Sequence, residues 1–353
     1  MMRDLLRGAV GPLLLCLLGS VFPRPLDAQS IVGTVIDAAD GSPVEGVLVL
    51  LLDTEGRQES GDLTDAHGSF SVAAGEAGAY TLRAIRIGYE TLRSIPVKLW
   101  VGESETVDLR IPREPIQLRG IEVQGTQQCR LHPEEGRDLA LVWNEVRKAL
   151  TVQAWSAQAG QLRFGVSTFV RDLDPSLERV LLEKRGRTEV LGRVPMQSLP
   201  AGILMEEGFV RDLGFGSFEY LGPDAQVVLA DAFLNTHCLH LSTRDSLPSL
   251  VGVSFQPVDE TGAPDVVGTL WVDRSTAELR FLEFGYTWVP FNKGRKEAGG
   301  RLEFELLPNG AWIVRKWWIR MPTVERLDAY RTRLKGFRET GAEVVTVSSV
   351  GWH

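Results

Sequence analysis

The chain is poor in the residues that carry most enzyme chemistry. Its 353 residues include only 3 cysteines, 5 histidines, 5 methionines and 5 tyrosines. It has no glycine-rich phosphate loop, and "GFGSFEY" lacks the second glycine of a G-x-S-x-G nucleophile elbow. No block of basic residues breaks the net charge of -8, and the pI is near 5.3. A mildly acidic surface without a basic patch repels phosphate, which excludes nucleic acid as a partner. Beyond the N-terminus no apolar run approaches the ~18 residues of a membrane span, so the mature chain is not expected to be transmembrane. Acid pairs such as Glu134–Glu135 and Glu206–Glu207 read as solvated faces. The sequence therefore names no catalytic residue, no metal site and no cofactor.

What is present begins with an export pattern. "MMRDLLR" supplies Arg3 and Arg7, and an apolar run follows over residues 8–22. "PRPLDAQS" then places Leu26 and Ala28 where a signal peptidase reads, so residues 1–28 are expected to be a signal peptide. Cys16 lies inside the apolar run, between leucines, which does not suit lipidation. The expected address is the periplasm or the outer membrane.

Residues 29–112 read as about seven short strands, with turns every 8–12 residues and no helical period. "SIVGTVID" alternates and stops at "AADGSP". "VEGVLVLLLD" is apolar on both faces, which predicts a central strand. In "TDAHGSF", Asp65 can bond the backbone two residues on, Gly68 can take a positive φ, and Phe70 drops into the core. His67 falls at the turn tip, where almost any polar residue fits. "YTLRAIRIGYETL" sets Tyr80, Leu82 and Ala84 on one face.

"GTVIDAADGSPVEGVLV", "TDAHGSF" and "YTLRAIRIGYETL", in that order, resemble the carboxypeptidase regulatory-like domain. The resemblance implies a prealbumin-like Greek-key sandwich with a non-catalytic accessory role, often found at the N-terminal end of outer-membrane receptors. The peptidase itself is absent. The fold also neighbours starch-binding-like domains, which implies glycan contact by analogy alone. The 226 residues after position 127 are too few, and lack the repeats, for a receptor barrel.

A linker is expected over residues 113–127 and an α+β domain over 128–353. The expected fold class is mainly β, with a seven-stranded sandwich followed by a curved antiparallel sheet carrying one or two packed helices. "HPEEGRDLALVWNEVRKALTVQAW" predicts a helix starting at Pro133, with Leu139, Val142, Trp143, Val146 and Leu150 on one stripe. "PDAQVVLADAFLN" predicts a second helix over 223–235. Asn309-Gly310 predicts a hairpin in which Leu306 opposes Ile313, Phe304 opposes Arg315, and Leu302 opposes Trp317. The other face then pairs Leu307 with Trp312, Glu303 with Lys316, and Arg301 with Trp318. A second hairpin turns at Asp273–Thr276, placing Phe281 with Leu270, Val272 and Leu279, and Leu282 and Phe284 opposite. The tail, "VERLDAYRTRLKGFRETGAEVVTVSSVGWH", is expected to add one or two edge strands. "GTLWVDRSTAELRFLEF" and "GGRLEFELLPNGAWIVRKWWIRMP" resemble exported bacterial proteins that join this sandwich to a domain of unknown function. In shape the pattern is similar to half-barrel lipid and lipoprotein carriers.

Two cysteines survive cleavage, Cys129 and Cys238, and an oxidising compartment favours a disulfide between them. C-x-x-H at Cys129–His132 and H-C-x-H at His237–His240 could hold zinc on paper. Against that, the adjacent His237 and Cys238 aim apart on any regular element. Two free thiols remain a further alternative. The remaining candidate is a ligand face made of Arg301, Trp312, Lys316, Trp318 and Arg320. Aromatic rings stack on sugars or lipid tails, and cations hold anionic headgroups. The same residues could simply pack beneath the helix or the tail.

These readings favour a non-catalytic cell-envelope protein acting as a binding or assembly module, with an envelope protein, glycan or lipid as partner. The alternatives are a carrier or sensor of an apolar ligand and a carbohydrate-binding accessory protein. A carrier needs a continuous apolar cavity of about 300 Å³ or more. A sugar binder needs an exposed row of aromatics, and a hydrolase needs titratable groups converging in a cleft.

Overall fold

The computed structural model describes residues 29–114, 118, 121, 133–160, 162–191, 196–214, 216–258, 262–328 and 331–349. The expected signal segment, most of the expected linker, Cys129 and His132 lie outside the described residues.

The N-terminal part is built from short strands: β1 (Gln29–Asp37), β2 (Leu48–Leu52), β3 (Gln58–Leu63), β4 (Ser69–Ala74), β5 (Gly78–Ile85), β6 (Leu92–Arg93), β7 (Val97–Leu99), β8 (Ser104–Thr106) and β9 (Leu109–Ile111). One sheet has β1 between β4 and the pair β8 and β9; the other runs β3-β2-β5 and closes with β6 and β7. Both terminal positions are single edge strands interrupted midway, so nine segments fill the seven expected strand positions. The turn at "TDAHGSF" forms as its chemistry dictates. Asp65 Oδ1 accepts from the His67 and Ser69 amides at 2.8 and 2.9 Å. Gly68 has φ +73°, and a Cβ there would fall 2.4 Å from the Val35 carbonyl oxygen. Phe70 is buried.

The strand that is apolar on both faces explains the larger architecture. Every residue of β2 is buried. Val49 and Leu51 enter the sandwich core, while Leu48, Leu50 and Leu52 join a second core on the other side. A two-layer sandwich would leave that outer face in water; here a helix covers it. This helix, α1 (Pro133–Gln158), lies between the sandwich and a nine-stranded sheet. Leu139, Val142, Val146, Ala149, Leu150 and Trp155 are buried along it. Lys148 is 3% exposed and fully partnered at this seam: its Nζ donates to the Tyr89 carbonyl at 2.7 Å, to Glu145 at 2.6 Å and to Glu114 at 3.1 Å. Glu145 in turn accepts from the Gly88 amide.

The large sheet uses β10 (Leu162–Leu173), β11 (Val180–Leu191), β14 (His237–Ser242), β15 (Leu250–Pro257), β16 (Val266–Asp273), β17 (Leu279–Tyr286), β18 (Gly299–Leu306), β19 (Trp312–Arg326) and β20 (Thr332–Ser349). Their order is β11-β10-β20-β19-β18-β17-β16-β15-β14, antiparallel throughout, in one curved layer. A small hairpin, β12 (Val210–Gly214) with β13 (Ser217–Tyr220), and short helices α2 (Ala201–Glu207), α3 (Ala225–Leu229) and α4 (Asp231–Leu234) pack with α1. The helix expected over 223–235 is broken at Ala230, whose ψ of 139° is extended.

Three expectations about this sheet are corrected by its geometry. The Asn309-Gly310 loop has three residues, not two: the Leu307 amide bonds to the Ala311 carbonyl, and Gly310 takes φ +84°. Leu306 therefore opposes Trp312, and Phe304 opposes Val314. A bulge then leaves Arg315 unpaired and restores the expected register beyond it, with Glu303 opposite Lys316, Leu302 opposite Trp317, and Arg301 opposite Trp318. A second bulge, at Arg280, turns Phe281 to the face of Trp271, while Leu282 and Phe284 join Leu270, Val272 and Leu279 in the core. Finally, the tail strand β20 is interior, between β10 and β19, rather than at an edge. Its charged residues looked like edge residues because their partners lie on neighbouring strands: Arg338 binds Asp172, and Glu339 binds Arg320.

Candidate functional site

One face of the nine-stranded sheet is covered by helices and the sandwich. The other carries a groove of about 650 Å³ floored by β14–β18, bounded by Arg244 at one end of the strands and by Lys296–Ala298 at the other. Alternation places polar side chains on this face, and their contacts repeat in four stacks, the first three of which have residues in the groove. Arg244 lies 4.8 Å from the Trp271 ring and binds Glu283, which also accepts from Trp271 Nε1 at 3.0 Å. Arg301 lies 3.6 Å over Phe281, with its Nε 3.1 Å from Glu303. Arg320 lies 4.7 Å over Trp318 and donates to Glu339 at 2.6 and 2.9 Å. Arg171 lies 4.3 Å over Phe169, with Glu183 at 3.2 Å and Glu339 at 3.7 Å. Each stack sets a cation against a ring and a carboxylate, so the face is charge-balanced while offering directed donors and acceptors.

On the other side of the first stack from the rest, with Thr269 opposite Glu283, runs a ladder of hydroxyls across three strands. Ser242 Oγ is 2.6 Å from Ser254 Oγ, which is 2.7 Å from Thr269 Oγ1. His240 and Gln256 flank them in the groove. Burial lowers the His240 pKa, keeping the imidazole neutral at physiological pH. These hydroxyls bond to each other rather than to a base, and Glu283 is held by Arg244 and Trp271. Among the described residues of the groove no nucleophile–base pair is assembled.

Of the five residues expected to form a ligand face, Arg301, Trp318 and Arg320 come together in this groove. Lys316 shares the face but stands outside the groove, between Glu303 and Glu343 on the adjacent strands. Trp312 does not belong with them: the bulge at Arg315 turns it to the opposite face, where it is 3% exposed. His237 and Cys238 point to opposite faces of β14. His237 stacks on Phe233 at 3.8 Å, with Nε2 3.2 Å from Asp265, and Cys238 faces the groove side, opposite Gln256. The pairing expected for Cys238 involves a residue outside the described ones. Sequence reasoning missed Arg244, Glu283 and the hydroxyl ladder, since their partners lie 12–39 positions away in the chain. It also missed a cluster at Phe218, Trp288 and Phe291, whose rings meet edge-on at 6.3 Å and are partly exposed.

The space between α1 and the sheet is filled by the shared core. The crevices beside it hold about 250 and 240 Å³ and are lined partly by polar groups such as Arg86, Glu278, Gln153 and Asp224.

Residues 30–112 match the family model of the carboxypeptidase regulatory-like domain. No curated protein matches the chain. Among solved structures it is similar to the pilus 2b backbone protein of group B streptococcus, at 16% identity and a TM-score of 0.21, covering 24% of this chain and 40% of that one. A putative carbohydrate binding protein from Bacteroides uniformis aligns at 9% identity and a TM-score of 0.21, over 67% of this chain and 93% of that one. A DUF1329 family protein from Desulfovibrio piger aligns at 13% identity and a TM-score of 0.27, over 59% and 95%. No helix of the described residues is long and apolar enough to cross a membrane.

Proposed function

We propose that this chain is an exported, non-catalytic binding module of the cell envelope, and that its groove holds a hydroxyl-rich ligand, a glycan. The observation that carries this reading is the ladder Ser242–Ser254–Thr269 set in a charge-balanced groove. Hydroxyls both donate and accept, which matches the alternating polarity of a saccharide. The balance of guanidinium and carboxylate supplies bidentate groups without attracting a polyanion. The Trp271 and Trp318 rings of the groove are covered by Arg244 and Arg320, so recognition rests on hydrogen bonds more than on ring stacking. The filled core between α1 and the sheet speaks against a carrier of apolar ligands. The N-terminal pattern supports periplasmic or outer-membrane placement, and a Cys129–Cys238 disulfide belongs to the same proposal.

Calorimetric titration of the folded protein with a panel of envelope oligosaccharides tests it. Saturable binding is expected, weakened about tenfold by Thr269→Val through loss of one half-buried hydrogen-bonding group. Absence of binding across the panel, with the fold intact, overturns the reading.

A further inference from the structure

The seam between the sandwich and α1 carries an unbalanced charge. Arg83 on β5 and Arg93 on β6 are directly opposed across the strand pair. Arg83 points to the helix side of its sheet: its register partner on β2, Leu50, lies in the core shared with α1. Arg147 approaches from α1, and its guanidinium is oriented by a 3.1 Å bond to Asn144 Oδ1. Burial weakens the Arg83 guanidinium's hold on its proton, and the charges of Arg147 and Arg93 act in the same direction. Among the described residues no carboxylate pairs with any of the three, although the chain as a whole is acidic and arginines such as Arg113, Arg280, Arg320 and Arg338 are matched. A half-desolvated cation beside two like charges is costly unless an anion completes it. Beside Arg147 a depression of about 410 Å³ opens on the helix, lined by Asn144, Trp143 and Leu141, the last of which is 42% exposed.

We propose that Arg83, Arg93 and Arg147 form a binding site for a phosphate-bearing ligand, with the guanidinium forks taking phosphate oxygens and the Trp143–Leu141 depression taking whatever apolar part the ligand carries. Arginine suits this task because its planar fork meets a phosphate with two parallel bonds. The site shares no residue with the groove and stands independently of the proposed glycan binding. The phosphate belongs either to a soluble compound or to a lipid headgroup, and the chemistry of the three arginines is the same for both.

The test uses the full chain with two probes: pyrophosphate, followed by calorimetry, and vesicles of phosphatidylglycerol against phosphatidylcholine, followed by co-sedimentation. Binding of pyrophosphate assigns a soluble ligand; binding to phosphatidylglycerol vesicles alone assigns a headgroup. In either case the double variant Arg83→Gln/Arg147→Gln should bind at least about tenfold more weakly, and Arg83→Lys should recover only part of the loss, because it restores charge without the fork. Arg315→Gln, distant from the seam in the sequence and paired to Glu305, should leave binding unchanged. The unfolding midpoint of the double variant should change little, since no carboxylate is orphaned and only the Asn144 Oδ1 contact of Arg147 is lost. Failure of the folded wild type to bind either probe, or undiminished binding by the folded double variant, overturns the site.

Discussion

Two sheets flank α1, and they reached their final form by different routes. The sandwich sheet β3-β2-β5-β6 has short strands, and the register shift between β2 and β3, at Glu59, lies next to the turn that joins them. The nine-stranded sheet has strands of up to 18 residues. There, bulges at Arg280 and Arg315 reverse the facing of every residue beyond them. In these short strands a single register then holds beyond the turn, from Leu51 opposite Ser60 to Leu48 opposite Leu63. In a long one a single extra residue overrides the turn, because side-chain facing has a period of two.

The strongest way to break the comparison is at the layer the two sheets share. Lys148→Ala leaves Glu145 buried without its partner and is expected to cost about 3–5 kcal/mol, measured by urea unfolding. If the two sheets are one cooperative unit, the transition stays single and shifts. Two separate transitions would show that the sandwich unfolds independently of the sheet.

A smaller effect compares one turn in each region. Gly68→Ala in the sandwich and Gly310→Ala at the hairpin tip both place a Cβ at positive φ. In each case a backbone neighbour is too close, at 2.4 Å from the Val35 oxygen and 2.3 Å from the Gly46 Cα. Each should cost about 1–3 kcal/mol in the same unfolding measurement. Gly310→Ala also pushes the large sheet's hairpin against the sandwich, so of the two it alone should weaken the seam.

Acid sharpens the comparison further. Asp273 ends β16. Desolvation pushes its pKa up, but bonds from Ser275, Arg280 and Thr276 prevail and hold it well below the ordinary carboxylate range. A depressed folded pKa contributes stability that is present above the unfolded value and is lost as pH falls below about 4. Asp273→Asn should be less stable than wild type at neutral pH and lose less on acidification. Equal pH slopes in urea midpoints between pH 6 and about 2.5 would contradict this. The smallest stability effect is expected for Arg244→Gln, which removes a half-exposed ion pair and should cost less than about 1 kcal/mol. The same change should still weaken ligand binding in the groove.

The predicted elements can be traced residue by residue. Asp65, Gly68 and Phe70 identified their turn because all three act within a few positions of one another. The apolar stripe of α1 was legible for the same reason, and so was the both-sided burial of β2. The interior place of β20 was not legible, because its second neighbour, β10, and the Asp172 that binds Arg338 lie far away in the chain. Trp312 and Trp318 looked alike in the sequence, and the unpaired Arg315 sent one into the core and the other to the groove.

The amino-acid order alone determined the sandwich, the turn at Asp65–Phe70, the long helix and the places of the hairpins, since local backbone preference and side-chain periodicity act over a few neighbours. The tertiary structure decided which residues share a face of the large sheet, where the four arginine stacks and the hydroxyl ladder stand, and which arginines are left without an acid. Those outcomes depend on bulges and on strand neighbours distant in the chain, where a shift of one residue exchanges core for surface.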